Sequence, residues 1–192
     1  MTIEKTKATD VVSSGLTCNT KAAEAAQATG VYHVECHDKD GNLKWSADSK
    51  NLVVNVGLQY MAGSALTSTA QITTWYLGLY GAGASNTPAA GDTMSSHAGW
   101  TEVVPYSNAN RVTATLAAST NANPSVVTNS ASPAVFNINA TSTVGGAFLT
   151  SSNTKSGTTG TLFSAADFGS PGDRSVVNGD TLSVTYTFSL AA

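Results

Sequence analysis

The first residues in this 192-residue chain whose types could do chemistry together are His33, Cys36 and His37, with Cys18 upstream as a fourth member. Imidazole nitrogens and thiolates are the usual ligands of zinc. Their spacing opposes that use. On a strand His33 and His37 share a face but stand about 13 Å apart at ~3.3 Å per residue, whereas Zn–N bonds are about 2.0–2.1 Å long. Cys36 points to the opposite face. Packing is therefore the expected role, and no metal site is expected. Next along the chain, Asp38-Lys39-Asp40-Gly41-Asn42 has the look of a calcium loop. The helix–loop–helix cation motif needs glycine at its sixth position and an acidic ligand at its twelfth. Here glycine comes fourth and the twelfth residue is Ser49, so the segment is expected to be a plain turn.

Asp92, Ser95, Ser96 and His97 contain the residue types of a nucleophilic triad. A triad places its base between nucleophile and carboxylate in space, which a single short stretch rarely does, and no Gly-x-Ser-x-Gly elbow is present. Capping and packing under Trp100 is the expected role. Glu102 and Asp167 can be nominated as the carboxylate pair of a glycosidase, but so can almost any other pair. Trp45, Trp75, Trp100, Tyr76, Tyr80 and Tyr106 are rich enough for a sugar platform, though aromatic residues in a sandwich more often fill the core. No Walker loop or dinucleotide fingerprint occurs. Neither a catalytic residue nor a cofactor is assigned.

These groups must be positioned by strands. Leu182, Val184, Tyr186, Phe188 and Leu190 alternate with Ser183, Thr185, Thr187 and Ser189, the period of a strand with one face for a core and one for water. Asn178-Gly179-Asp180 is a turn cluster, across which Ser175-Val176-Val177 is expected to pair back as the final hairpin. Val31 to His37 and Leu43 to Ala47 read as a hairpin around the Asp38–Asn42 turn. Residues 72–80 form a mostly apolar run, as in a strand buried on both faces. Further strands are expected at 111–117, 126–130, 134–140 and 143–149, the last with a bulge or close approach at Gly145-Gly146. Spacing predicts a helix over 55–66 with Asn55 as its N-cap, and a helical turn over 92–100 capped by Asp92 or Thr93. The sum is an all-β, jelly-roll-like β-sandwich spanning residues 30–192, with one or two short helices.

Residues 1–29 differ, being richer in charge and poorer in large apolar groups. They are either a frayed terminus or an extended arm that orders on a neighbour, with a short Ala-rich helix at 20–28 ended by Gly30. The start lacks the apolar core of a signal peptide, and no run approaches the ~18–20 apolar residues of a membrane span. Charged residues make up 11% of the chain and the net charge is -3, against roughly 25% charged residues in an average domain. That leaves no basic footprint for nucleic acid or anionic lipid. A weakly charged, hydroxyl-rich surface suits contact with proteins or sugars. Cys18 and Cys36 are expected as free thiols.

Trp75-Tyr76-Leu77-Gly78-Leu79, then Gly91-Asp92-Thr93-Met94, His97-Ala98-Gly99-Trp100-Thr101-Glu102 and Tyr106, later Val144-Gly145-Gly146-Ala147-Phe148-Leu149 and Gly179-Asp180-Thr181-Leu182, together resemble small virion structural proteins of tailed bacteriophages and prophages. The resemblance covers about residues 50–192. It implies a non-enzymatic capsid decoration (cement) or head-fibre protein, made in the host bacterial cytoplasm and carried on the capsid surface. Its partners would be the major capsid protein and neighbouring copies of itself, with no nucleic acid and no membrane. The alternative is a receptor- or glycan-binding module of a tail fibre or adhesin. Composition selects Thr2, Ile3, Lys5 and Lys7 in the arm, and Ala84, Ser85, Asn86 and Thr87 in the 81–91 loop, as partner contacts.

Overall fold

The computed structural model describes residues 26–81, 87–169 and 172–192. Among them are twelve strands and one helix: β1 Gln27–His37, β2 Leu43–Lys50, β3 Leu52–Val53, α1 Asn55–Leu66, β4 Trp75–Gly81, β5 Glu102–Val103, β6 Val112–Ala114, β7 Ser125–Thr128, β8 Ala134–Asn137, β9 Ser142–Thr150, β10 Leu162–Asp167, β11 Arg174–Val176 and β12 Thr181–Ala191. They make two antiparallel sheets. The first runs β2-β1-β12-β7, with β8 also on β12; the second runs β3-β10-β9-β4-β5, with β11 on β9 and β6 on β4. The all-β sandwich expected from the alternation is what forms, with the first and last of these strands side by side.

β12 is the axis of the first sheet. Leu182, Val184 and Tyr186 are buried while the hydroxyl residues between them are partly exposed. Asn129 manages the handover between its two short neighbours, accepting from the Tyr186 N–H at 2.6 Å and donating to the Val184 carbonyl at 3.1 Å. Between the sheets, the Tyr32 and Tyr186 rings meet at 4.6 Å, tilted by 39°, and their phenols meet Ser164 of β10 in a chain that Asn51 closes. Burial pushes both phenol pKa values up, so these groups stay neutral hydrogen-bonding partners inside the core.

The second sheet is buried on both faces at its centre. Leu77, Leu79, Ala147 and Leu149 face the main core. Tyr80, Phe148, Leu162 and Ala165 face outward into a smaller core with Met94 and Trp100. This accounts for the unbroken apolar run of β4. Register explains the glycines: an added Cβ on Gly146 would lie 2.2 Å from the Ala166 carbonyl and 2.3 Å from the Tyr80 ring. The β4–β9 register shifts between Tyr80 and Gly81, where Gly81 faces Val144 and Gly145 is skipped, which is the bulge expected at the glycine pair.

Four local expectations fail, each for a tertiary reason. The segment before β12 does not form a final hairpin with it; β11 pairs with β9 in the other sheet. The turn is clamped instead to the end of β8, with Gly179 N–H on the Ile138 carbonyl and Ile138 N–H on the Asp180 carbonyl, so the chain crosses between sheets there. Residues 27 and 28 of the expected Ala-rich helix are strand, because full-register pairing with β12 overrides helix propensity; residues 20–25 lie outside the described residues. Helix α1 has the expected bounds, but Val54 is its N-cap and no side chain caps it. The Val54 and Asn55 N–H groups reach the Phe163 and Ala90 carbonyls, so tertiary acceptors do the capping. Residues 92–100 are turns without a helix: Thr93 and Ser96 form a tight antiparallel bridge, with the Thr93 hydroxyl accepting from Ser96 N–H.

Candidate functional site

Each cluster singled out for chemistry is bound up in a local structural task. His33 sits on the solvent side of β1, its Nδ1 2.7 Å from Asp48 on β2 and its Nε2 3.3 Å from Glu35. The Asp48 hydrogen bond raises its pKa against the opposing effect of burial. Cys36 faces the core, its thiol 3.8 Å from the Asp180 carboxylate; burial, then Asp180, push its pKa up to about 11. A thiol so placed is not a ready thiolate. Cys18 lies outside the described residues, and among those described no group of three or more His, Cys, Asp or Glu is placed to hold a metal ion. Asp38 accepts from the N–H groups of Asp40 and Asn42, and Gly41 takes a positive φ of 84°, so the acidic loop is a hairpin turn.

The Asp92–His97 stretch converges on Trp100. The indole Nε1 donates to Asp92 at 3.0 Å, and the His97 ring stacks on the indole at 3.8 Å. His97 Nδ1 lies 2.9 Å from the Trp100 carbonyl; a carbonyl only accepts, so Nδ1 carries the proton and Nε2 is left for the surface. Asp92 and His97 therefore hold one indole from two sides and do not orient each other. Beyond Trp100, Arg111 lies bidentate on Glu102 and donates to the Ser152 and Gly157 carbonyls, while Ser156 N–H reaches the same carboxylate. The loop at 151–160 is thereby tied down over the pair. A cavity of about 270 Å³ opens here between Met94, His97, Glu102, Arg111 and Thr158.

Asp167, Gly146, Tyr80 and Glu102 lie in one register row across β10, β9, β4 and β5. Three strand spacings of ~4.8 Å put Asp167 about 14 Å from Glu102, wider than either glycosidase arrangement. Asp167 is itself raised by burial and by Asp173. Of the aromatic candidates, Tyr80, Trp100 and Tyr106 are buried. Trp45 packs edge-on against Phe168, and Trp75 against Tyr60 and Phe163. The aromatics form no shared platform.

Of the residues selected as partner contacts, Thr2, Ile3, Lys5, Lys7, Ala84, Ser85 and Asn86 lie outside the described residues, and Thr87 is exposed. A surface that was not selected stands out more. Helix α1 covers β10 with Gly57, Tyr60 and Met61, and its Tyr60 hydroxyl accepts from Ile72 N–H at 2.8 Å. An added Cβ on Gly57 would meet the Phe163 carbonyl at 2.2 Å, so the helix rests directly on the strand backbone. The opposite face presents Leu58, Ala62, Ala65 and Leu66 to solvent, an i, i+4, i+7, i+8 stripe. Leu58 is 44% and Leu66 85% exposed. None of the helix's residues is charged. The signal was available in the sequence as a helix with no charge on either face. Arg111 gave no such signal, since its partner lies on another strand.

No protein-family model, curated protein or solved structure matches this chain.

Proposed function

We propose that this protein is a non-enzymatic virion structural protein of the tailed-phage kind, a capsid decoration protein that binds the major capsid protein lattice and braces the head. The outer face of α1 is the contact surface. One observation carries the reading: a helix with no charged residue turns Leu58 and Leu66 to solvent on a rigid sandwich. Water-exposed apolar stripes of this kind mark association surfaces. Two further features support it. The charge-poor chain lacks the field that would steer nucleic acid, and the titratable clusters described above are committed to turns, indole packing and loop anchoring. Many weak copies on one shell add their contacts, so each need bury only a modest area. Neighbouring copies would touch on the particle rather than in solution.

The test is co-sedimentation of the purified chain with expanded heads that lack it, followed by heating. Saturable binding and a raised temperature of head rupture are expected. Heads that sediment without the chain, or that bind it and rupture at the same temperature, would overturn the proposal. So would binding to a surface polysaccharide with no affinity for heads, which would make the chain a glycan-recognition module.

A further inference from the structure

Beside the smaller core, two cavities share their walls. One, of about 270 Å³, is the cavity over Glu102 and Arg111 described above. The other, of about 320 Å³, opens between α1 and Gly160-Thr161. Met94 and Thr158 line the first, while their near neighbours Thr93, Gly160 and Thr161 line the second. The same two segments of chain therefore bound both. Val56, at the second cavity, also packs against the smaller core whose Met94, Trp100 and Phe148 wall the first. Together the cavities form one groove, each half at the lower end of the size range of ligand sites.

The acidic and basic residues of the lining, Glu102 and Arg111, neutralise each other, so the groove favours neither an anion nor a cation. Hydrogen-bonding capacity is left over nonetheless. Arg111 commits four of its five N–H groups, which leaves one donor on Nη1. Glu102 accepts three hydrogen bonds, and a carboxylate has about four lone-pair sites. His97 Nδ1 donates to the Trp100 carbonyl, so in the neutral ring Nε2 is an acceptor. Further along, the Thr158 and Thr161 hydroxyls and the Gln59 amide line the way. A ligand matched to this lining donates and accepts at neighbouring atoms and carries no net charge. Sugar hydroxyls do both, and the C–H faces of a sugar ring suit the carbon surface of Met94, Phe148 and Tyr60. We propose that this groove binds a neutral oligosaccharide, one sugar unit lying over Glu102 and Arg111 and the next between Gln59 and Thr161. Leu58 and Leu66 are not part of its lining, so the inference stands independently of what the α1 face binds.

Saturation-transfer NMR on the full chain tests it, with maltose, cellobiose, lactose and chitobiose as neutral probes and digalacturonate and a Gly-Ser peptide as controls. At least one neutral disaccharide is expected to bind saturably, with a Kd on the order of 1 mM. Thr158→Trp fills the first cavity from an exposed position on its rim and should weaken that binding about tenfold or more. Gln59→Ala, exposed at the second cavity, should weaken it by a smaller factor. Neither change should lower the melting temperature, and Thr158→Trp should co-sediment with heads as the wild type does, which separates this site from the α1 contact. Absence of saturable binding by all four neutral probes would overturn the inference, as would binding that both variants leave unchanged. Tighter binding of digalacturonate or of the peptide would also overturn it, since the occupant would then be an acidic sugar or a polypeptide.

Discussion

The Arg111 guanidinium lies on the Glu102 carboxylate with Nε–Oε1 at 2.9 Å and Nη2–Oε2 at 2.7 Å, their side chains 1% and 6% exposed. A buried pair of this kind contributes little over an apolar replacement, but losing one partner leaves an uncompensated charge inside. Glu102→Leu is therefore expected to cost about 3–5 kcal/mol, read by urea denaturation. The double change Glu102→Leu/Arg111→Met should cost well under the sum of the two single changes. Cleavage by a nonspecific protease should move to the 151–160 loop in both single variants, because Glu102→Leu frees the Ser156 N–H and Arg111→Met frees the Ser152 and Gly157 carbonyls. A Glu102→Leu protein as stable as the wild type would contradict the account.

Gly57 supplies a test of sign. Alanine is about 1 kcal/mol better than glycine in a helix interior, so propensity alone expects Gly57→Ala to stabilise. The added Cβ would sit 2.2 Å from the Phe163 carbonyl oxygen, a backbone atom that cannot swing aside. The helix would have to lift off β10 and lose the packing of Tyr60 and Met61. Net destabilisation of about 1–3 kcal/mol is expected, with loss of α1 protection in hydrogen exchange. A raised melting temperature would show that the contact relaxes cheaply.

How much of this was legible in the sequence follows from the range of the interactions. β12 and the β1–β2 hairpin were plain because alternation and the Asp38–Asn42 turn are local signals, and α1 was placed with its bounds by spacing. The fate of Ser175-Val176 was not legible. Its hairpin with β12 depended on the turn at 178–180, yet the contacts that decide it run from Gly179 and Asp180 to Ile138, some forty residues away. The partners of Arg111 were not legible for the same reason: nothing near it in sequence announces Glu102 or the carbonyls of the 151–160 loop. The carboxylates nominated as a pair, Glu102 and Asp167, do share a register row, but strand order alone decides that two strands stand between them.

His33 gives a pH signature. Asp48, its first and strongest partner, raises its pKa above the ordinary value near 6.5. A group raised on folding contributes stability that is complete below the unfolded pKa and is lost as pH rises through the folded one. The contribution should therefore be complete below the unfolded value of about pH 6.5 and fade as pH rises above it through the raised folded value. With the imidazole 40% and Asp48 72% exposed, solvent screening limits it to about 0.2–1 kcal/mol, or roughly 1–4 °C for a domain of this size. Asp48→Asn should flatten melting temperature against pH in that window and leave higher pH unchanged. An unaltered slope would mean that Glu35 alone holds the charged ring.

Leu58 and Leu66 separate stability from binding. Their side chains face solvent on α1 and belong to neither hydrophobic core, so Leu58→Ser/Leu66→Ser should shift stability by no more than about 0.5 kcal/mol per site. Relieving exposed apolar area should also make the variant more soluble. On heads, the same change removes two apolar anchors at the centre of the proposed contact, where truncations typically cost more than 1 kcal/mol each. Affinity per copy should fall about tenfold or more, equivalent to ~1.4 kcal/mol, and protection of the shell against heat should fall with it. Titration of labelled protein onto heads measures this directly. A variant that melts like the wild type and binds like it would move the contact off α1, leaving the sandwich's other faces to be searched in turn.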